Sequence, residues 1–146
     1  YKGYDFSIFM QGVARTSFFI NPSDISPFVN ERNALNVIAD NHWSINNPDP
    51  NAFWPRLSTY SIANNEQQST WWQRDGDFLR LKNIEFGYTF PQNESGLFSG
   101  LNTRIYFTGL NLFTFSKFDL WDTEMGGNGL GYPPQKVYNI GLQVNF

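Results

Sequence analysis

The sequence predicts an all-β fold in which four long antiparallel strands run up and down within a membrane-spanning barrel. Four segments alternate between apolar residues and polar or small ones, and each is about ten residues long. Strands of this length match membrane barrels and exceed the usual strand of about 5–6 residues in soluble proteins. The connections are long, short and long in turn, which is the asymmetry of outer-membrane barrels.

Each predicted strand has one apolar face. The strands are expected over about residues 3–13, 77–90, 102–114 and 136–146, with apolar side chains at every second position. The residues of these faces are Tyr4, Phe6, Ile8 and Met10; Ile84, Phe86, Tyr88 and Phe90; Thr103, Ile105, Phe107 and Gly109; and Tyr138, Ile140, Leu142, Val144 and Phe146.

The first connection, about residues 16–74, is too long to be structureless inside a compact domain. We expect one short helix there, over about Asn30–Asn41, with a start signal at Ser26 and Pro27. The Asn- and Pro-rich stretch Asn46–Asn51 breaks it. The apolar residues that indicate the helix are Phe28, Leu35, Val37 and Ile38.

The connections also predict an orientation. Residues 91–100 form a compact turn, whereas residues 16–74 and about 115–135 form long loops. Short turns of outer-membrane barrels face the periplasm and long loops face the outside. We therefore expect the turn and the C-terminal strand end on the periplasmic side, with both long loops extracellular.

Composition excludes several classes of function. The net charge of -3 gives no basic surface for nucleic acid, and the absence of Cys removes disulfides, thiolate nucleophiles and zinc–cysteine sites. No apolar run reaches the roughly 18 residues of a membrane helix. The aromatic share of 18% fits membrane barrels and carbohydrate-binding sandwiches alike.

No residue pattern indicates catalysis, a cofactor or a metal. Asp119, Asp122 and Glu124 lack the spacing of a calcium-binding loop, so we expect a solvated acidic loop. His42 is the only histidine, which leaves too few ligands for zinc. There is no Gly-x-Ser-x-Gly elbow. We predict that the chain is not an enzyme and has no catalytic, cofactor-binding or metal-binding residue.

Several stretches resemble one known family, in the family's order. Together they cover nearly the whole chain and are similar to the late part of SusC/RagA-type TonB-dependent outer-membrane transporters. Leu110 departs from that pattern, which often has a polar residue there. The stretches are Asp5–Gly12 (DFSIFMQG), Trp72–Pro91 (WQRDGDFLRLKNIEFGYTFP), Arg104–Thr114 (RIYFTGLNLFT), Tyr132–Pro134 (YPP) and Ile140–Phe146 (IGLQVNF).

The resemblance implies a larger protein in the outer membrane of a Gram-negative bacterium. Such transporters have an N-terminal plug inside a barrel of about 22 strands, of which this chain would be the last four. Because no signal peptide opens the chain, we expect it to continue upstream of Tyr1. The family imports oligosaccharides or peptides with a SusD-type surface lipoprotein, and the TonB complex supplies energy through parts absent here.

The resemblance also implies an assembly signal in the final strand. The barrel-assembly machinery is expected to recognise the terminal aromatic residue and the apolar residues that alternate before it. Outer-membrane lipid is a further expected partner. The residues assigned to the signal are Tyr138, Leu142, Val144 and Phe146.

Two further groups follow from the predicted faces. Aromatic residues near strand ends on the apolar face are candidates for a girdle at the periplasmic interface. Polar residues on the opposite face are expected to face the lumen and to pair with one another or with the plug. The girdle candidates are Tyr88, Phe90, Tyr138 and Phe146, and the lumen candidates are Glu85, Arg104 and Tyr106.

Four tryptophans lie in or beside the first long loop. Large aromatic side chains anchor interfaces, so these residues are candidate contacts for the ligand or the lipoprotein. The alternative is that they form a small core of the loop itself, which so long a loop needs, and we favour that interpretation. The four are Trp43, Trp54, Trp71 and Trp72.

A secreted β-sandwich that binds carbohydrate is the alternative fold and function. It accounts for the many aromatic residues and the missing Cys, and it predicts two sheets with inward-facing sides. It does not account for the long strands, the one-sided loops or the final Phe146.

Overall fold

A computed structural model of the chain describes residues 2–91 and 100–145. The chain forms two compact units. The first comprises Tyr1–Thr16, Gly76–Lys117 and Pro133–Phe146, and the second comprises Ser17–Asp75 and Phe118–Tyr132.

Strands are the main regular structure, and the helices are short. In chain order the elements are β1 (Tyr4–Val13), β2 (Ser17–Phe19), α1 (Pro22–Ile25), α2 (Asn36–Asp40), β3 (Gln73–Asp75), β4 (Phe78–Thr89), β5 (Asn102–Ser116) and β6 (Val137–Asn145). Single 3-10 turns lie at Val29–Glu31, Thr70–Trp72 and Thr123–Met125. None of the described helices is long and apolar enough to cross a membrane.

The first unit is one antiparallel sheet with the strand order β1-β4-β5-β6. The prediction of an antiparallel all-β fold is confirmed. The four long strands form a single sheet, so they do not form the two facing sheets of the alternative sandwich. Of the predicted turn 91–100, residues 92–99 lie outside the described part of the chain.

The register brings the apolar faces of the four strands together. Phe6 lies opposite Phe86, which lies opposite Phe107, which in turn lies opposite Ile140. The neighbouring row on the same face is Tyr4, Tyr88, Ile105 and Leu142. Because side chains alternate across a sheet, the polar residues between these rows share the other face.

The two inner strands are bulged near their middle. The register of β1 with β4 shifts at Lys82, and the register of β4 with β5 shifts again beside Asn111, whose φ is 51°. A bulge changes the alternation of the strand that contains it. Met10 consequently lies opposite Leu81, and Leu81 joins Ile84 on the apolar face.

The second unit has its own apolar core. A two-stranded sheet of β2 and β3 brings the two ends of the long connection together, and Ile20 donates its backbone N–H to the Trp72 carbonyl at 2.9 Å. The buried residues of the core are Ile20, Ile25, Ile38, Phe53, Trp54, Trp72 and Phe118.

The helix expected over Asn30–Asn41 is wrong in extent. Asn30 has a left-handed φ of 55° inside a 3-10 turn, and α2 begins only at Asn36. Arg32 is extended instead of helical, and its Nη1 donates to the carbonyl oxygens of Ser23 at 2.7 Å and Asp24 at 3.0 Å. The left-handed backbone at Asn30 and Glu31 ends any helix there, and the Arg32 side chain instead satisfies carbonyls of α1, an element that was not predicted.

Candidate functional site

The apolar face of the four-stranded sheet is exposed over most of its area. Ile140 is 80% exposed, Leu142 63% and Phe6 60%. Single exposed apolar residues are ordinary in soluble proteins, but a continuous apolar face marks a surface for lipid or another protein. This face is therefore the first candidate functional surface.

Both outer strands of the sheet have a free edge within the described residues. β1 pairs only with β4, and β6 pairs only with β5. A long strand edge exposes a row of backbone N–H and C=O groups, which is a template for pairing with another strand. The sheet is thus suited to continue at both edges.

The expected assembly residues lie on this apolar face as far as they are described. Tyr138, Leu142 and Val144 alternate along β6 and are exposed. Phe146 lies outside the described residues. The role of these residues in assembly stays a prediction.

Of the predicted girdle residues that the structure describes, Tyr88 and Phe90 form an aromatic group with Tyr4. The ring centres of Tyr4 and Tyr88 lie 4.6 Å apart, and those of Tyr88 and Phe90 lie 5.0 Å apart. Tyr138 does not belong with them, because it lies opposite Gly109 and packs against Phe107 at 6.4 Å.

The position of Tyr138 corrects the predicted girdle. Tyr88 lies opposite Ile105, and Tyr138 lies opposite Gly109. These two positions are four residues apart along β5, or about 13 Å at roughly 3.3 Å per residue. The prediction placed Tyr138 at the same end of the sheet as Tyr88, but β6 begins at Val137 and runs towards the end where Tyr88 lies. Tyr138 is therefore near the opposite end of β6.

The opposite face of the sheet contains a charged network centred on Arg104. Its Nε donates to Oδ1 of Asp5 at 3.1 Å, and its Nη2 donates to Oε1 of Glu85 at 2.6 Å and also to Oδ2 of Asp5. The guanidinium lies 5.1 Å from the ring centre of Tyr106. Glu85 thus pairs with Arg104, which is one of the two alternatives predicted for these residues, the other being a contact with the plug. Asp5 was not among the predicted members of this network.

Gly87 makes this network geometrically possible. It lies on β4, opposite Asp5 of β1 on one side and opposite Tyr106 of β5 on the other. A Cβ at this position would overlap Arg104 Nη2 and would come within 2.6 Å of both carboxylate oxygens of Asp5. The missing side chain leaves the space through which Arg104 crosses β4.

The structure separates the four loop tryptophans into two groups. Trp72 is 1% exposed and Trp54 is 5% exposed, with their ring centres 5.1 Å apart in the core of the second unit. The indole Nε1 of Trp72 donates to the Asn65 carbonyl at 2.9 Å. These two rings are covered by the chain itself, which leaves them no free face for a ligand.

Trp43 and Trp71 are partly exposed. The backbone N–H of Trp43 donates to the Trp54 carbonyl at 2.9 Å, and the Nε1 of Trp71 donates to the Phe53 carbonyl at 3.3 Å. The Trp71 ring packs against the core, and both rings retain accessible surface. They remain candidate contacts for a ligand or a partner.

The remaining polar candidates have local structural roles. The Nδ1 of His42 lies 2.9 Å from the Ala39 carbonyl. Asp122 accepts a hydrogen bond from the Glu124 N–H at 3.0 Å and so caps the 3-10 turn that follows it. Across residues 2–91 and 100–145, no three His, Asp or Glu side chains are grouped so that they could hold a metal ion.

Comparisons with known proteins agree with this geometry. The chain is 28% identical over its whole length to the TonB-dependent receptor P26 of Formosa agariphila, of which it covers 16%. It is 27% identical over its whole length to the TonB-dependent receptor SusC of Bacteroides thetaiotaomicron, of which it covers 14%. No family profile matches the chain.

A solved structure shows the same fold. The chain superimposes on the RagAB peptide importer in its "open-open" state with a TM-score of 0.70 and 22% identity, covering 100% of this chain and 16% of that one. The curated relatives are receptors and not enzymes, in agreement with the sequence-based prediction. The chain spans about a sixth of the length of these proteins.

Proposed function

We propose a function from the premise that this chain belongs to the SusC/RagA-type TonB-dependent receptors: it forms part of the wall and outer loops of an outer-membrane barrel that imports nutrients. The observation that carries this proposal is the exposed apolar face of a sheet whose two outer edges are unpaired in the described part of the chain. In water such a sheet would aggregate. In a closed barrel, lipid covers the face and neighbouring strands pair with the edges.

The orientation follows from the connections. β1 and β5, each followed in the chain by a long connection, run in the same direction, whereas β4, followed by the short connection, is antiparallel to both. Long connections of such barrels are extracellular and short ones periplasmic. The second unit is accordingly outside the cell, and β6 runs towards the periplasm.

The aromatic group of Tyr4, Tyr88 and Phe90 then lies at the periplasmic interface. Its rings are close together at the short-connection end of the apolar face, and aromatic residues are enriched at both interfaces of membrane barrels. The network of Arg104 with Asp5 and Glu85 faces the lumen, where a plug or water replaces lipid.

The partners are those of the whole transporter. A SusD-type lipoprotein covers the outer loops, including the second unit, and the partly exposed Trp43 and Trp71 are candidate contacts for it or for the cargo. The cargo is an oligosaccharide or a peptide, and the TonB complex supplies the energy through parts of the protein outside this chain. The barrel-assembly machinery recognises the final strand.

The import function is tested in a Gram-negative host that carries the full-length gene. Uptake of labelled oligosaccharides and peptides is measured in the parent, in a strain lacking the gene and in a strain lacking TonB. The proposal predicts that one class of cargo is taken up by the parent and by neither deletion strain. Uptake that is unchanged without the gene, or that is independent of TonB, contradicts it.

A further inference from the structure

A cavity of about 760 Å³ opens within the second unit. Its volume lies within the range of about 300–1,000 Å³ that is typical of small-ligand sites. Polar side chains and one tryptophan form much of its wall. These residues are Asn41, Asn51, Ser69, Thr70, Trp71 and Arg74.

Arg74 is the charged residue in this wall. Its Nη1 donates to the carbonyl oxygens of Trp71 at 2.7 Å and Gln73 at 2.8 Å, and its guanidinium carbon lies 5.5 Å from the ring centre of Phe53. These contacts fix the side chain at the edge of the cavity.

No carboxylate of the described residues neutralises Arg74. Its hydrogen bonds go to backbone carbonyls, and burial alone lowers the pKa of its guanidinium. Removing a charge from water without pairing it is costly. Since Nη2 and Nε donate no further hydrogen bond within the described residues, they can donate to an anion in the cavity.

The rest of the wall favours a sugar over a peptide side chain. The Trp71 ring is partly exposed, and its hydrogen bond to the Phe53 carbonyl fixes its orientation. A flat aromatic face of this kind packs against the apolar face of a ring, while amide and hydroxyl side chains match sugar hydroxyls. Pro50 and Ala52 are the only aliphatic residues in the wall.

We propose that this cavity binds an acidic sugar residue of a glycan, with Arg74 holding its carboxylate or sulfate group and Trp71 packing against its ring. Arginine is suited to this role because its planar fork binds carboxylate and sulfate-like groups with two hydrogen bonds. The inference rests on the proposed function, in which the second unit is an extracellular loop of an importer, and it names the cargo class.

The test is isothermal titration calorimetry with the full-length transporter purified in detergent. The probes are a galacturonate hexamer for the carboxylate, a carrageenan hexamer for the sulfate, and maltohexaose as the neutral control. At least one acidic hexamer should bind about tenfold more tightly than maltohexaose, a difference of about 1.4 kcal/mol, and added NaCl should weaken it. Equal affinity for the three probes, or no binding of either acidic one, overturns the inference.

Substitutions locate the binding. Arg74→Gln and Thr70→Glu should each lower the affinity for the acidic hexamer about tenfold. Thr70 is an exposed residue of the wall, so its substitution tests the site even if Arg74→Gln alters the fold. Thr59→Glu is the matched control, because Thr59 is exposed in the same unit and outside this cavity. Equal effects at Thr70 and Thr59 contradict the site.

Two further outcomes separate this inference from the proposed function. If TonB-dependent uptake occurs but neither acidic hexamer binds, the cavity assignment fails and the import function stands. If Arg74-dependent binding occurs without uptake, the import function fails and the site stands. A hexaglutamate peptide that binds as tightly as the acidic sugars overturns the choice of a glycan.

Discussion

Arg104 on β5 crosses the intervening strand β4 to bind the carboxylate of Asp5 on β1. The two residues are 99 positions apart in sequence, and on the way the same guanidinium also binds Glu85 of β4. One side chain therefore joins three strands. Gly87 lies beneath it, which explains why β4 has no side chain at that position.

Gly87→Ala should destabilise the barrel by about 1–3 kcal/mol, the usual cost of overpacking. The added Cβ would overlap the Arg104 guanidinium and the Asp5 carboxylate. Thermal unfolding of the full-length protein in lipid vesicles measures the effect.

The double variant Gly87→Ala/Arg104→Ala is the control for this substitution. If the contact with Arg104 causes the loss of stability, Gly87→Ala should lower the free energy of unfolding by less when Arg104 is absent. Additive effects of the two substitutions would show that Gly87 is required for another reason.

Ile140→Lys should reduce the amount of folded protein in the outer membrane. Ile140 is 80% exposed on the apolar face, near the middle of β6, and a lysine on the lipid face costs about 2–4 kcal/mol at the membrane midplane. Asn139→Lys is the matched control, because Asn139 is the preceding residue and faces the polar side with Thr108. Heat-modifiable migration on gels measures folded protein, and equal losses at both positions would contradict a lipid-facing assignment.

Trp72→Ala should unfold the second unit locally. Trp72 is 1% exposed in its core, and truncating a buried tryptophan costs about 3–5 kcal/mol. Trp43→Ala should have a clearly smaller effect, since Trp43 is only partly buried. Hydrogen exchange of residues 17–75 in the full-length protein compares the two variants. Similar protection in both would argue against this core.

The faces of the strands were predictable, because an alternation of period two is visible in the sequence itself. Phe86 and Ile140 lie on the apolar face for that reason. The bulge at Lys82 was not predictable, since a register shift depends on how two strands pair. The helix around Asn30 was overestimated because the backbone is left-handed at Asn30 and Glu31, which the apolar pattern does not reveal.

The candidate sites were predictable to different degrees. Glu85 and Arg104 were predicted to share a face, and they pair. The sequence offered Trp71 only as one of four tryptophans. What distinguishes Trp71 from Trp72 is its partial exposure, which only the folded structure shows. Arg74 lies within a recognised motif, but the absence of a carboxylate partner for it among the described residues depends on the folding of residues distant in sequence.

The most direct test of the account is the environment of alternating residues along β6. This chain contains no Cys, so single spin labels can be attached at Tyr138→Cys, Asn139→Cys, Ile140→Cys and Gln143→Cys in the full-length protein in lipid vesicles, after every Cys outside this chain has been replaced. Oxygen, which concentrates in lipid, should relax the labels at 138 and 140, whereas a water-soluble nickel chelate should relax those at 139 and 143. Equal accessibility to both reagents at all four positions would contradict the assignment of this sheet to the wall of a membrane barrel.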